Sequence, residues 1–256
     1  MTGVLGKLGP VWSRGLLEAG AIVVGIDLPA APVSPAFAEL QRQYDEQLLF
    51  LERGNVGDRP GLIAIRDRIL TQFGTPSIIV NNAGIDQPPG PAKTYHLEDI
   101  PLEICRQVFE VNILGAFQVT QIFGEPMVKA RRGSIINIGS LYASVSPDRR
   151  LYDHLNCDPP FLKPPAYGAS KAALVNLTRY FATHWGSFGV RVNSLSPGGV
   201  LGGQDEEFKR KFSDRVPLGR MAEFNDLLGP LIFLAADASS YVTGIELKVD
   251  GGFTAW

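Results

Sequence analysis

Thr2-Gly3-Val4-Leu5-Gly6-Lys7-Leu8-Gly9 is a glycine-rich turn that runs into a helix-periodic stretch over residues 10–20. Glycines let a backbone approach a pyrophosphate closely, and the start of the following helix offers free N–H groups and positive potential. Gly3, Gly6, Leu8 and Gly9 are therefore candidate nucleotide contacts. Residues 21–26 then read as a buried strand, apolar apart from Gly25, that ends at Asp27. A carboxylate at a strand end about twenty residues past such a turn is placed to grip a ribose diol. It would also repel a 2′-phosphate, so NAD is expected in preference to NADP. Lys7 argues mildly the other way, because it could reach a phosphate. A hydrophobic strand should precede a turn of this kind, yet only Met1 stands ahead of Thr2. The expectation is a missing or truncated first strand, with a gap in the sheet and unpaired backbone groups. Either the start lies downstream of the true one or the fold is compromised.

Further along, short apolar runs alternate with helical patterns. Strands are expected at 77–80, 133–138, 190–195 and 245–249, and helices at 58–73, 101–130, 167–188 and 223–236. Such alternation predicts an α/β fold with a parallel sheet covered on both faces, in one domain over residues 1–256. Polar and glycine residues gather just past the strand ends: Asn81-Asn82-Ala83-Gly84, Gly139-Ser140, Ser196-Pro197-Gly198-Gly199 and Asp250-Gly251-Gly252. In an open α/β sheet that edge is where ligands bind.

Tyr167 and Lys171 are four residues apart at the start of a helical pattern, so both side chains leave the same helix face. A neighbouring ammonium favours the phenolate and is expected to lower the tyrosine pKa, which would let Tyr167 exchange a proton near neutral pH.

Bulk properties exclude several classes. Hydrophobic residues make up 45% of the 256 and charged residues 20%, a composition able to build a sizeable core. The net charge of -2 offers no basic footprint for nucleic acid or an anionic membrane. No apolar run reaches membrane-spanning length and no signal peptide precedes the first motif, so a cytoplasmic protein is expected. Cys105 and Cys157 lack metal-ligand spacing, and His96, His154 and His184 are scattered, so no metal site is expected.

Taken together, the motifs resemble the short-chain dehydrogenase/reductase family from Thr2 onward. The glycine turn, Asp27, Asn81 to Gly84, Asn112 within Val111-Asn112-Ile113-Leu114-Gly115, Ser140, Tyr167, Lys171 and Pro197-Gly198 stand in family order. The resemblance implies a Rossmann-like doubly wound sheet and a catalytic tetrad of Asn112, Ser140, Tyr167 and Lys171. Tyr167 would exchange the proton and Ser140 would hold the substrate oxygen. Lys171 would lower the Tyr167 pKa and bind the nicotinamide ribose. Asn112 would support a backbone and water arrangement reaching solvent. Asn55, Val56, Asn82, Ala83, Gly84, Pro197, Gly198 and Val200 would join the turn and Asp27 around the cofactor. Three departures stand out: Lys7 replaces a common glycine, Asn55 stands where Asp often meets adenine, and Ser140 and Tyr167 are 27 residues apart, beyond the family norm.

The extra length falls in residues 146–165, which reads as an inserted lid; 199–217 reads as a flap. Ser146-Pro147-Asp148-Arg149-Arg150-Leu151-Tyr152, Ser196-Pro197-Gly198-Gly199-Val200, Pro217-Leu218-Gly219-Arg220-Met221 and the ending Asp250-Gly251-Gly252-Phe253-Thr254-Ala255-Trp256 look like the flagellin-modification (PtmA-like) oxidoreductases of bacterial surface-glycan synthesis. That narrower likeness implies a sugar or amino-sugar substrate. Arg149, Arg150, Asp153, His154 and Lys163 would give the lid polar groups to meet hydroxyls or a phosphate, or would simply solvate the loop. Family members assemble through the helices near 101–130 and 167–188, so a homo-oligomer, dimer or tetramer, is expected. Leu174, Leu177 and Phe181 could serve that interface or the protein's own core. The expected activity is interconversion of a secondary alcohol and a ketone. The alternatives are a carbonyl reductase of lipid-like or acyl substrates and a non-catalytic nucleotide sensor.

Overall fold

The computed structural model describes residues 1–45, 47–86 and 94–256. Helix α1 (Gly9–Glu18) leads into β1 (Val23–Asp27), α2 (Pro35–Gln43), β2 (Leu49–Arg53), α3 (Arg59–Phe73) and β3 (Ile78–Asn81). Then come α4 (Leu102–Phe109), α5 (Ala116–Ala130), β4 (Gly133–Ile138), α6 (Pro165–Trp185), β5 (Val190–Pro197), α7 (Glu206–Ser213), α8 (Phe224–Ala235) and β6 (Glu246–Val249). Local chemistry sets several starts. Ser34 caps α2, Asp58 caps α3 and Asp205 caps α7, each side chain accepting a first-turn N–H. Pro35 and Pro60 sit in first turns, where no N–H is needed.

All strand pairs are parallel. They fall into two pieces, β1-β2 and β3-β4-β5-β6. β4 is buried along its whole length, as a central strand between two helical layers should be. Ile135, Ile136, Val192 and Leu195 form the middle of the core, with Trp12, Leu227 and Leu231 on one face and Leu62, Ile65 and Met127 on the other. A buried polar relay crosses the layers: Asn81 donates to Thr120 and Asn137, and Asn137 donates to Thr178. Leu174 and Phe181 are buried and Leu177 packs against the same core, so these three face inward rather than toward a partner.

The gap expected ahead of Thr2 lies between β1 and β3. Only Met1–Gly3 cross it. The Ile26 N–H donates to the Met1 carbonyl (2.7 Å), the Thr2 N–H to Val80 (3.0 Å) and the Gly3 N–H to Ile26 (2.9 Å). Thr2 thus forms the carboxyl-end tip of an intervening strand. Below it a cavity of about 420 Å³ is walled by Val23, Val24, Ile79, Ile69, Phe73 and Phe123. The two halves still share one fold, because α1 and its Trp12 pack across the seam in the common core.

Residues 146–165 are irregular apart from a short turn at Arg149–Leu151, and the flap carries α7. Lid and flap are clasped together. Asp148 pairs with Arg215, Asp153 with Lys211, and His154 Nε2 lies 2.8 Å from Asp205. Tyr152 packs between Phe161 and Phe208, with ring centroids 4.9 and 5.3 Å away.

Candidate active site

The glycine turn sits against the end of β3. Gly3 has φ +66, and a Cβ there would lie 2.7 Å from the Ala83 Cα, so only glycine fits. Asn82 stitches the two segments: its Oδ1 accepts from Trp12 Nε1 at 2.8 Å while its Nδ2 donates to the Gly3 carbonyl at 2.8 Å. Thr2 Oγ1 accepts from the Asn82 and Ala83 N–H groups. No side chain caps the N-terminus of α1, which leaves first-turn N–H groups for an anion. Asp27 Oδ2 accepts from the Leu5 N–H at 2.7 Å and Oδ1 from its neighbour Leu28 at 2.8 Å, so the carboxylate also shapes the turn.

These parts line one cavity of about 450 Å³ running along the strand carboxyl ends. Gly3, Gly6, Leu8, Asp27, Asn55, Val56, Asn82, Ala83, Gly84, Pro197, Gly198 and Val200 line it, together with Ser140, Tyr167 and Lys171. Gly9 does not: it packs at the helix start, where a Cβ would strike the Gly3 and Val4 carbonyls. Asn55 turns its Oδ1 onto the Gly57 N–H at 2.9 Å.

Asn112 stands just behind the cavity. It lies in a π-turn, Glu110–Gly115, between α4 and α5. A π-turn inserts an extra residue into the helical ladder and re-aims a side chain, and such turns gather at functional sites. Here the amide turns onto the loop after β3, accepting from the Ile85 N–H at 2.7 Å and donating to the Ile85 carbonyl at 3.1 Å and to Ser170 Oγ at 3.0 Å. The Ile85 backbone and Ser170 thus hold the amide in place.

Tyr167 and Ser140 line the same cavity, and the Ser140 hydroxyl draws the phenol's pKa downward. Lys171 Nζ, fully buried, donates to the Ile138 carbonyl at 2.7 Å and lies 5.7 Å from the Tyr167 ring centroid. A Cβ at Gly84 would stand 3.5 Å from that ammonium, so the glycine leaves it room. The expected lowering of the Tyr167 pKa is not what the geometry produces. Burial pushes the phenol up, the Asp86 carboxylate adds to that, and only the Ser140 bond opposes. Lys171 is itself drawn down to about 8 by burial, against the pull of Asp86. Desolvation is thus the largest influence on both groups.

The lid contributes differently from expectation. Arg150 is tied to Asp148, while Asp153 and His154 are spent on the flap. Lys163 alone among the five named lid groups turns into the site: its Nζ lies 2.6 Å from Asp86 Oδ1 and 5.0 Å from the Tyr167 ring centroid. Asp86 was missed in the sequence, although an acid two residues past Gly84 stands directly beyond a ligand-facing turn. Lys7 reaches across the cavity to the Val200 carbonyl at 3.4 Å. Among the described residues there is no cluster able to hold a metal ion and no helix long and apolar enough to cross a membrane.

Residues 7–254 match a family described as enoyl-(acyl carrier protein) reductase. The chain is 31% identical to a D-arabinitol 2-dehydrogenase (ribulose-forming) of Candida tropicalis, covering 100% of this chain and 92% of that protein. It is similar to a gluconate 5-dehydrogenase of Burkholderia cenocepacia solved with NADP and tartrate, at 28% identity and TM-score 0.83 over 100% of this chain and 94% of that one. A short-chain dehydrogenase of Leptospira borgpetersenii with bound NAD+ gives 29% identity and TM-score 0.83, covering 99% and 91%. None of these carries the flagellin-modification likeness. With its parallel sheet, the uncapped helix start at the glycine turn and a match over nearly its whole length, the chain belongs to the short-chain dehydrogenase/reductase family of NAD(P)-dependent oxidoreductases.

Proposed function

We propose that the protein oxidises a polyol-type secondary alcohol to the ketone, or catalyses the reverse, with NAD preferred over NADP. The observation that carries this is the convergence of Ser140, Tyr167, Lys171 and Asp86 on one cavity, with Asp86 paired to Lys163. The residues fit a dinucleotide: the glycine turn and α1 would take the pyrophosphate, Asp27 and Asn55–Val56 the adenosine, and Pro197, Gly198 and Val200 the nicotinamide. A bound nicotinamide supplies the hydride acceptor or donor. Tyr167 takes the hydroxyl proton in oxidation and returns it in reduction. The protonated phenol serves reduction and the phenolate serves oxidation, and Ser140 holds the substrate oxygen beside it. Lys171 fixes the ribose while its bond to the Ile138 carbonyl keeps it in place.

Asp27 supports NAD, because a carboxylate repels a 2′-phosphate; relatives solved with NAD+ and with NADP both exist. The family description would fit an acyl substrate, but a charged pair beside Tyr167 suits hydroxyls better than a greasy chain. A role in surface-glycan synthesis rests only on the short stretches at residues 146–152, 196–200, 217–221 and 250–256. Exposed Leu102, Leu114 and Tyr180 on the α4–α5 and α6 surfaces support a homo-oligomer.

The test is a fluorescence titration with NADH and NADPH, followed by D-arabinitol oxidation by the unaltered protein and by Tyr167→Phe. Tighter NADH binding, with turnover lost only in Tyr167→Phe, is the expected result. Dinucleotide binding with no turnover of any alcohol would instead make the protein a sensor.

A further inference from the structure

Asp86 lines the cavity and Lys163 is paired with it, yet neither has a task in the proton transfer assigned above. Lys163 comes from the end of the lid, just ahead of α6, and its side chain is 5% exposed. Its ammonium contacts both oxygens of Asp86, at 2.6 and 2.9 Å, and lies 5.0 and 5.6 Å from the Tyr167 and Tyr142 ring centroids. A lysine held this far from water is a costly way to stabilise a fold, since a buried ion pair returns little net free energy. Asp86 is 40% exposed and lines the cavity, so its carboxylate still faces the space where a substrate would lie.

We propose that Asp86 and Lys163 form a clamp for a hydroxyl group neighbouring the reacting carbinol, which makes the substrate a neutral vicinal polyol or the matching keto-sugar. This rests on the oxidoreductase reading given above. A carboxylate has room for several hydrogen bonds and an ammonium has three donors, so the pair can accept from one hydroxyl and donate to it or its neighbour at once. Together they present a donor and an acceptor without net charge. An aldonate would bring its carboxylate against Asp86. An alkyl alcohol would leave the pair with nothing to replace the water it displaced, and sites built to bind a hydroxyl reject analogues that lack it. Because Lys163 is a lid residue and Asp86 follows the turn after β3, the same contact ties the lid to the substrate that it covers.

The experiment measures steady-state oxidation of D-arabinitol, gluconate and cyclohexanol by the full chain, by Lys163→Met, by Asp86→Asn and by the double variant. NADH binding, followed by fluorescence, checks that each variant is folded. The unaltered protein should prefer D-arabinitol. In each single variant the ratio of kcat/KM for D-arabinitol over cyclohexanol should fall by about tenfold or more. The double variant should lose little beyond either single one, because the two residues act as a unit. Asp86→Asn should also raise gluconate turnover relative to D-arabinitol. If Lys163→Met no longer binds NADH, Asp86→Asn, which keeps the side-chain shape, carries the test. An unchanged ratio overturns the clamp, as does an equal loss on both alcohols or a preference for gluconate or cyclohexanol in the unaltered protein. Failure to oxidise any alcohol with either dinucleotide overturns the functional reading itself, and the clamp with it.

Discussion

Asn112 and Ile85 are joined by two hydrogen bonds, one given and one received, at 2.7 and 3.1 Å. The side-chain amide of Asn112 pairs with the Ile85 backbone as a neighbouring strand would. It fixes the segment that runs from Gly84, beside the Lys171 ammonium, to Asp86, beside Lys163. The π-turn is what brings the amide there.

Asn112→Ala would leave the half-buried Ile85 N–H and carbonyl without these partners. A stability loss of about 1–3 kcal/mol is expected, with a larger proportional fall in kcat/KM as Asp86 and Gly84 shift. Thermal melts and kinetics on the same preparation check it; equal activity at reduced stability would mean that the loop does not move.

Tyr167→Phe keeps the ring and removes the proton carrier. Turnover should fall by about a hundred- to ten-thousandfold while NADH affinity stays near that of the unaltered protein. Ser140→Ala should cost less, because the phenol remains; it also removes the bond that draws the Tyr167 pKa downward.

Lys171 gives a stability signature with a definite sign. Its pKa is about 8 in the folded chain against 10.5 ordinarily. Between those values the unfolded chain holds more protons, so stability rises with pH across that window and falls again as pH drops toward 8. The slope is at most about 1.4 kcal/mol per pH unit for one group. Lys171→Met should melt with a flatter dependence between pH 8 and 10.5. Parallel curves for the two proteins would show that the buried ammonium keeps its ordinary affinity for protons.

Asp27→Asn should move the NADH/NADPH affinity ratio toward NADPH by about tenfold, or about 1.4 kcal/mol. An asparagine oxygen can still accept from the Leu5 N–H, so the turn is retained and the charge alone is tested. Paired dissociation constants decide it, and an unmoved ratio would take the selectivity away from this carboxylate.

The clasp between lid and flap centres on Asp148, which the Arg150 guanidinium first of all holds well below the usual carboxylate range, with Arg215 adding to it. The bond contribution is therefore lost only as pH falls below the ordinary carboxylate value. Asp148→Ala should loosen the lid, at about 1–2 kcal/mol, and limited proteolysis should cut within 146–165 sooner than in the unaltered chain.

Strands with an apolar run between polar ends were legible. Gly133–Ile138 falls where expected, and β1, β3, β5 and β6 differ only at their ends. β2 was not, because Leu49–Arg53 is a half-exposed edge strand whose last two residues are charged. α2 and α7 are short and capped inside stretches that read as loop. The π-turn leaves no mark on hydrophobic period, since it shifts one residue within a continuous helical pattern. Ser140, Tyr167, Lys171 and most of the expected cofactor positions share one cavity because they stand at or near strand ends. The Lys163–Asp86 contact joins residues 77 apart, and nothing in either neighbourhood announces the other. The Tyr167 pKa went the other way for a related reason: sequence displays the nearby charge but hides the burial that opposes it.

The seam between β1 and β3 makes the dinucleotide site a joint as well as a pocket. Asp27 and Asn55 lie at the ends of the two-stranded piece, while Ser140, Pro197 and Gly198 belong to the four-stranded one. A ligand laid along that edge would touch both pieces and work as a rivet between them. Occupancy should then raise resistance to shear between the halves, which melts with and without NADH would show.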